Sequence, residues 1–132
     1  MEKGVKELKF IMKAQSFKTG CIHAFLAVAL GAFGAHAVKE RISAEMMEIY
    51  QTATQYHMFH AIALFVTAFA IQLAGARSVL KYAWLLFNIG IIIFCGSLYV
   101  LAMTELRWLG AITPIGGVAF LAGWSCLFLS LR

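Results

Sequence analysis

The chain has 132 residues, of which 62% are hydrophobic and only 13% are charged. This composition excludes a soluble globular protein, because too few charged groups exist to cover its surface, and the length leaves no room for a separate soluble module. The formal charge of +5 does not indicate nucleic-acid binding, since the basic residues flank apolar segments instead of forming one patch interleaved with aromatic residues.

Four apolar segments occupy most of the sequence, at residues 19–38, 57–75, 82–103 and 109–131. A hydrocarbon core of about 30 Å is crossed by a helix of roughly 20 residues, so each segment is long enough to span a bilayer. The connections at residues 76–81 and 104–108 are short, which makes consecutive helices antiparallel neighbours. The sequence therefore predicts an all-α integral membrane protein, folded as an up-down four-helix bundle.

Basic residues predict the orientation of this bundle. Residues 1–18, the second connection and the C-terminus together hold eight Lys and Arg residues, whereas the opposite side holds three. By the positive-inside rule both termini face the cytoplasm, and we expect a multi-pass protein of the cell (inner) membrane.

The sequence divides into a basic tail at residues 1–18 and a single four-span transmembrane domain at residues 19–132. Val5, Leu8 and Met12 share one helical face, so the tail suits a short interfacial helix on an anionic leaflet. A flexible basic tail that only sets topology fits equally well. The Lys-rich tail and the apolar segment after it also resemble a signal peptide, but we expect no cleavage, because the apolar segment is long for one.

Helix boundaries are marked most clearly around the first and third connections. Ser43 is a good helix cap, and no Gly or Pro follows it before Gly75, so the sequence predicts one helix over residues 44–74. Such a helix is roughly 45 Å long at 1.5 Å per residue, so it must project, tilt or pack over the mouth of the bundle. The fourth span is predicted to begin with Thr113 as cap and Pro114 at the first helical position.

Polar side chains within the spans sort into two layers by depth. The outer layer holds His36, Tyr56, His57, His60, Ser97, Tyr99 and Thr113. The inner layer holds His23, Gln72 and Asn88. Because hydrocarbon leaves hydrogen bonds unmet, polar side chains in a membrane face the bundle interior, and we expect one hydrogen-bonded cluster in each layer. The residues expected to meet in the outer cluster are His36, Tyr56, His60 and Tyr99.

Three chemical interpretations of the outer layer stay open. His36, His57 and His60 carry imidazoles of the kind that bind zinc and similar metals, with Glu48 as a fourth ligand if the long helix bends. Histidine and tyrosine also form proton or solute paths, although none of the four apolar segments contains an Asp or Glu. The third interpretation is a hydrogen-bond network that fixes helix packing. We assign no metal and no cofactor, and treat the outer layer as a polar cluster of unassigned role.

Patterns typical of active sites do not occur in the sequence. No serine can be matched with a base and an acid, and no Gly-rich phosphate loop is present. Cys21, Cys95 and Cys126 show no CxxC spacing, so they indicate neither a disulfide framework nor a zinc knuckle. The sequence therefore predicts a protein that is not an enzyme.

Several motifs resemble one known family. They are Gly31-Ala-Phe-Gly-Ala-His36-Ala, Thr52-Ala-Thr-Gln-Tyr56-His-Met-Phe-His60, Phe94-Cys-Gly-Ser-Leu-Tyr99 and Leu109-Gly-Ala-Ile-Thr-Pro114-Ile-Gly-Gly117. Together they are similar to the YgdD/YwdK-like family of small membrane proteins, a domain of unknown function with a eukaryotic transmembrane relative. The resemblance implies a four-span inner-membrane protein without an assigned activity.

From these observations we predict a non-enzymatic membrane protein that acts by packing with a second copy of itself, with membrane lipid or with a membrane-protein partner, and not with nucleic acid. The alternative is small-solute, proton or metal-ion handling through the outer polar cluster. A continuous wet cavity from that cluster towards Asn88 would favour the alternative. A dry, packed interior would favour the structural or binding role.

Overall fold

A computed structural model describes residues 1–131 and shows an all-α protein. Its helices are α1 (Glu2–Phe33), α2 (Ala44–Ala74), α3 (Ser78–Gly90), α4 (Gly96–Thr104) and α5 (Thr113–Leu129). π-helical turns extend α1 (Gly34–Val38) and join α3 to α4 (Ile91–Cys95), and a 3₁₀ turn precedes α5 (Arg107–Ala111). We call the unbroken rod Ser78–Thr104 the third membrane helix. Within residues 1–131, four helices are long and apolar enough to cross a membrane.

The helices alternate in direction, as the short connections predicted. At one end Arg77, between α2 and α3, donates to the carbonyl oxygen of Ser130. We call this the terminal end, because α1 begins and α5 finishes there. At the opposite end, the loop end, Arg107 forms a salt bridge with Glu45 at 3.4 Å. The predicted up-down bundle is confirmed, and the end that faces the cytoplasm stays a prediction.

The long second helix is also confirmed. α2 runs without a break over Ala44–Ala74, and Ser43 Oγ accepts a hydrogen bond from the Met46 backbone N–H at 3.2 Å, as expected of a helix cap. The helix ends at Gly75, whose φ of 83° lies in the region that glycine adopts without strain. Both boundaries follow from local chemistry that the sequence shows directly.

The basic tail is helical. α1 begins at Glu2 and continues through residue 18 into the first span, and the place of residues 1–18 at the membrane surface stays a prediction. This stretch contains no proline, and its glycines, Gly4 and Gly20, each cost only about 1 kcal/mol relative to alanine. One helix therefore extends from the tail through the span.

The start of the fourth span is partly as predicted. Pro114 lies in the first turn of α5, which is confirmed, but Thr113 does not cap the helix. The backbone is already helical at Ile112, where the 3₁₀ turn meets α5, so Thr113 lies inside the helix and its hydroxyl makes other contacts. It lies 2.7 Å from Ser97 Oγ and 3.2 Å from the Leu109 carbonyl oxygen.

Two pairs of helices make up the bundle. α1 packs along α2, where Ser16 Oγ donates to the Leu64 carbonyl and the Tyr50 hydroxyl donates to the Leu30 carbonyl, both at 2.7 Å. These contacts set one antiparallel register, and in that register His23 lies opposite His57.

The second pair is α3 with α5. Glycines allow close approach here: a methyl group added at Gly90 would overlap the Phe120 ring, and one added at Gly123 would lie 2.8 Å from the Phe87 ring. Phe87 and Phe120 meet Leu64 of α2 in the hydrophobic core. This core joins the two pairs and holds the interior side chains in place.

Candidate functional site

A continuous chain of polar side chains runs through the interior of the bundle. His23 lies between His57 and Asn88, with Nδ1 at 3.1 Å from His57 Nε2 and Nε2 at 3.1 Å from Asn88 Oδ1. His57 Nδ1 lies 3.4 Å from the Tyr99 hydroxyl, which in turn lies 3.3 Å from Thr54 Oγ1. We call these five residues the polar chain.

The hydrogen-bond partners define which ring nitrogen carries a proton when both imidazoles are neutral. Asn88 Nδ2 donates to the Trp84 carbonyl at 2.7 Å, so Asn88 Oδ1 is the atom that faces His23. His23 Nε2 must therefore carry the hydrogen, which leaves Nδ1 as an acceptor for His57 Nε2–H. The one hydrogen of the Tyr99 hydroxyl is then shared between two acceptors, His57 Nδ1 at 3.4 Å and Thr54 Oγ1 at 3.3 Å. Both imidazole N–H groups point towards Asn88.

The polar chain lies near the middle of the bundle. His23 is about midway along α1 between Lys13, which donates to Gln72 at 3.1 Å, and Gly34, which lies against the Tyr50 ring. At 1.5 Å per residue each of those positions is roughly 15 Å from His23, about half of a 30 Å hydrocarbon core. Polar groups at that depth need partners, and within residues 1–131 each buried side-chain nitrogen or oxygen has one.

Both ends of the polar chain stop at backbone carbonyl groups. Thr54 Oγ1 donates to the Tyr50 carbonyl at 3.1 Å, and Asn88 donates to the Trp84 carbonyl. From Asn88 to Tyr99 the third membrane helix rises by roughly 16 Å, so the polar chain covers only about half of the hydrocarbon thickness.

A second polar group surrounds His60, on another face of α2. His60 Nδ1–H donates to the Tyr56 carbonyl at 2.8 Å, and Nε2 accepts from the Trp124 indole N–H at 3.3 Å. The imidazole stacks on the Phe120 ring, with centroids 3.4 Å apart and planes 9° from parallel. His60 is only 3% exposed, so its two ring nitrogens and one ring face are all engaged by protein.

The structure divides the residues of the predicted outer cluster. His57 and Tyr99 belong to the polar chain, Tyr56 stacks near His60, Ser97 pairs with Thr113, and His36 is exposed in the π-helical turn after α1. The predicted meeting of His36, Tyr56, His60 and Tyr99 is therefore wrong. Three residues of helix rotate a side chain by about 300°, so His60 points roughly 60° away from His57 and faces α5 instead of α1.

The same geometry removes the metal interpretation of the three histidines. His57 contacts α1, His60 contacts α5, and His36 is exposed, so the three imidazoles do not converge. Over the described range 1–131, no group of three or more His, Cys, Asp and Glu side chains is close enough to hold a metal ion.

The structure joins residues that depth alone separates. By depth, His23 and Asn88 fall in an inner cluster and His57 in an outer one, because the second apolar segment begins at His57, although the helix that carries it begins at Ala44 as predicted. Thr54 lies before that segment and was not predicted. The sequence nevertheless contains a signal for this contact. In a pair of antiparallel helices, residues equally distant from the connection lie opposite each other, and His23 and His57 each lie 17 residues from Glu40.

Comparison with known proteins identifies the family. Residues 30–117 match the family described as "Protein of unknown function (DUF423)". The chain belongs to the DUF423 family. It is 52% identical over 106 residues to the UPF0382 membrane protein YwdK of Bacillus subtilis, which covers 80% of this chain and 85% of YwdK. It is 40% identical over 110 residues to the UPF0382 inner membrane protein YgdD of Escherichia coli K12, which covers 82% of each. No solved structure matches the chain.

Membership in the DUF423 family confirms the resemblance to the YgdD/YwdK-like proteins and the predicted location in the membrane. The relatives are named as membrane or inner membrane proteins, and the helices found here are long and apolar enough to span, so this DUF423 protein is a multi-pass membrane protein. The family has no known function, and no enzymatic activity is indicated for it. The matched range contains His57, Asn88 and Tyr99, whereas His23 precedes it.

Proposed function

We propose that this protein has a structural or binding role in the membrane and does not catalyse a reaction. The observation that carries the proposal is the closure of the polar chain, in which Thr54 and Asn88 each donate to a backbone carbonyl group. A carbonyl oxygen has no proton to pass onward, so a chain with these ends does not connect the two faces of a membrane. Its hydrogen bonds act on the packing of the helices.

The position of each member supports that role. His23 belongs to α1, His57 to α2, Asn88 to α3 and Tyr99 to α4, so the polar chain ties three membrane helices to one another. Hydrogen bonds between membrane helices contribute about 0.6 kcal/mol each on average, and the bilayer offers no hydrophobic force that would hold these helices together. The polar chain fixes the rotation of each helix about its axis, because only one rotation directs the polar side chain of that helix inward.

Substitution of His57 tests the stabilising role. His57→Leu introduces an apolar side chain of similar size, removes the partner of His23 Nδ1 and leaves the Tyr99 hydroxyl with Thr54 alone. We expect a loss of about 1–3 kcal/mol in stability, measured by thermal unfolding in detergent. His36→Leu is the matched control, because His36 is exposed, and it should unfold like the wild type. Equal stability of the two variants would overturn the proposal.

Proton handling is the second candidate, and the contact between His23 and His57 favours it. Two imidazole nitrogens 3.1 Å apart can exchange a proton. The test is proton flux into liposomes that contain the protein, a pH-sensitive dye and a potassium ionophore. The structural proposal expects the same flux as in empty liposomes. A flux that the wild type produces, and that His23→Leu removes, would establish proton handling instead.

A further inference from the structure

The polar chain makes more hydrogen-bonding contacts than it has hydrogens to place in them. Its five residues make six contacts, including the two that end at the carbonyl groups of Tyr50 and Trp84. Each contact needs one hydrogen. With both imidazoles neutral, each imidazole and each hydroxyl supplies one, and Asn88 directs one at the Trp84 carbonyl, which makes five. One contact therefore has no hydrogen.

The shortage can move along the polar chain, but no arrangement removes it. When both imidazole N–H groups point towards Asn88, the single Tyr99 hydrogen has two acceptors. When both point towards Tyr99, its hydroxyl donates to Thr54, and no hydrogen lies between His23 Nε2 and Asn88 Oδ1. The distances agree with the first arrangement, because the two contacts of Tyr99, at 3.4 and 3.3 Å, are the longest of the six.

The group around His60 has no such shortage. His60 Nδ1–H donates to the Tyr56 carbonyl and Nε2 accepts from the Trp124 indole, so two contacts have two hydrogens. A proton added at His60 Nε2 would oppose the Trp124 N–H. The two buried histidines of α2 therefore differ, and only His57 belongs to a network that is short of a hydrogen.

We propose that the polar chain binds one proton, which His23 and His57 share. A proton from the surrounding water forms an N–H bond at His57 Nδ1, and this N–H donates to the Tyr99 oxygen. The Tyr99 hydrogen then donates to Thr54 alone, so all six contacts have a hydrogen. The inference rests on the proposed structural role, and adds that the hydrogen bonds between the helices respond to pH.

The groups that face the two imidazoles define the charge of this site. The titratable ones are the imidazoles themselves, from α1 and α2, and the Tyr99 phenol of α4, with Tyr50 and Cys95 beside Tyr99. α3 contributes the uncharged amide of Asn88. The four apolar segments contain no Asp, Glu, Lys or Arg, so the proton adds the only charge. Burial of that charge opposes proton uptake, and the hydrogen that the proton supplies favours it.

Nuclear magnetic resonance of the detergent-solubilised protein with ¹⁵N-labelled histidine tests the proposal. Imidazole ¹⁵N shifts distinguish neutral from charged rings, and the variants His23→Leu and His57→Leu assign the resonances. From about pH 8 to about pH 4 we expect His23 and His57 to shift together in one step that takes up one proton. Circular dichroism at each pH verifies that the helices persist. No shift of these two rings, or a shift of one without the other, would refute proton sharing.

Thr54→Val removes the shortage without adding a proton. It deletes one hydroxyl and the two contacts that this hydroxyl makes, so the four remaining contacts have four hydrogens. A bound proton would then leave the Tyr99 hydrogen without an acceptor, so the midpoint should fall by about one pH unit, a tenfold weaker binding. Thr67→Val is the matched control, because the buried Thr67 of α2 donates to the Ala63 carbonyl instead of to the polar chain. Equal midpoints in wild type and both variants would contradict the hydrogen count.

Failure of this inference and failure of the structural role give different results. The unfolding comparison of His57→Leu with His36→Leu is made at one pH, so it tests the hydrogen bonds whether or not a proton binds. Unchanged wild-type resonances together with a less stable His57→Leu would refute proton binding alone. Joint titration together with equal stability would refute the structural role alone.

Discussion

Gly116→Ala should destabilise the bundle, whereas Gly117→Ala should not. A Cβ at Gly116 would overlap the backbone nitrogen of Phe94 and would lie 2.7 Å from its Cβ and 2.8 Å from its Cα. These atoms belong to the main chain around the π-helical turn, so no side-chain rotation relieves the overlap. α5 must move away from the third membrane helix. At Gly117 the added carbon lies 3.8 Å from the Phe94 ring, so nothing moves.

The magnitude follows from two opposing effects. Replacing glycine by alanine inside a helix favours folding by up to about 1 kcal/mol, equally at both positions. Overpacking at Gly116 costs about 1–3 kcal/mol, so Gly116→Ala should be less stable than Gly117→Ala by that amount. Thermal unfolding of both variants in the same detergent measures the difference, from which the helix-propensity term cancels. If the two variants unfold at the same temperature, α5 does not approach Phe94 as closely as described here.

Three further predictions concern the loop end and the orientation. Ser43→Ala should lower stability by about 1 kcal/mol and increase amide exchange in the first turn of α2, and unchanged exchange would argue against the cap. Arg107→Gln should lower stability by less than about 1 kcal/mol, because its salt bridge to Glu45 joins side chains that are 72% and 61% exposed, and a larger loss in the same unfolding assay would contradict this. In a variant with its native cysteines replaced by alanine, an impermeant thiol reagent applied outside cells should label a cysteine at Ala44 and not one at Ser78. The reverse labelling pattern would invert the predicted topology.

Where the sequence predicted structure correctly, the signals were local. The cap at Ser43 and the glycine at Gly75 mark the ends of α2, and no helix breaker lies between them. Pro114 marks the first turn of α5 because proline needs no hydrogen bond there. The prediction that Thr113 caps α5 was wrong, because its partner is not local. Its residue type suits a cap, but its hydroxyl pairs with Ser97, a partner that the third membrane helix supplies.

The candidate site depended on relations between helices. The expectation that polar side chains face the interior holds for His57 and His60, because hydrocarbon leaves unpaired polar groups unstable, whereas His36 is exposed. Depth did not reveal which helix each side chain faces. His57 and His60 are three residues apart on α2, yet one contacts His23 on α1 and the other contacts Trp124 on α5.

The sequence by itself determined that this is an all-α membrane protein with an up-down topology. Those features follow from the lengths of the apolar segments and the shortness of their connections, and each is a property of neighbouring residues. Only the tertiary structure decided that His23 and His57 form one polar chain and that this chain ends at backbone carbonyl groups. The physical reason is that register and helix rotation are set by close contacts between distant residues, such as Ser16 with Leu64 and Gly116 with Phe94.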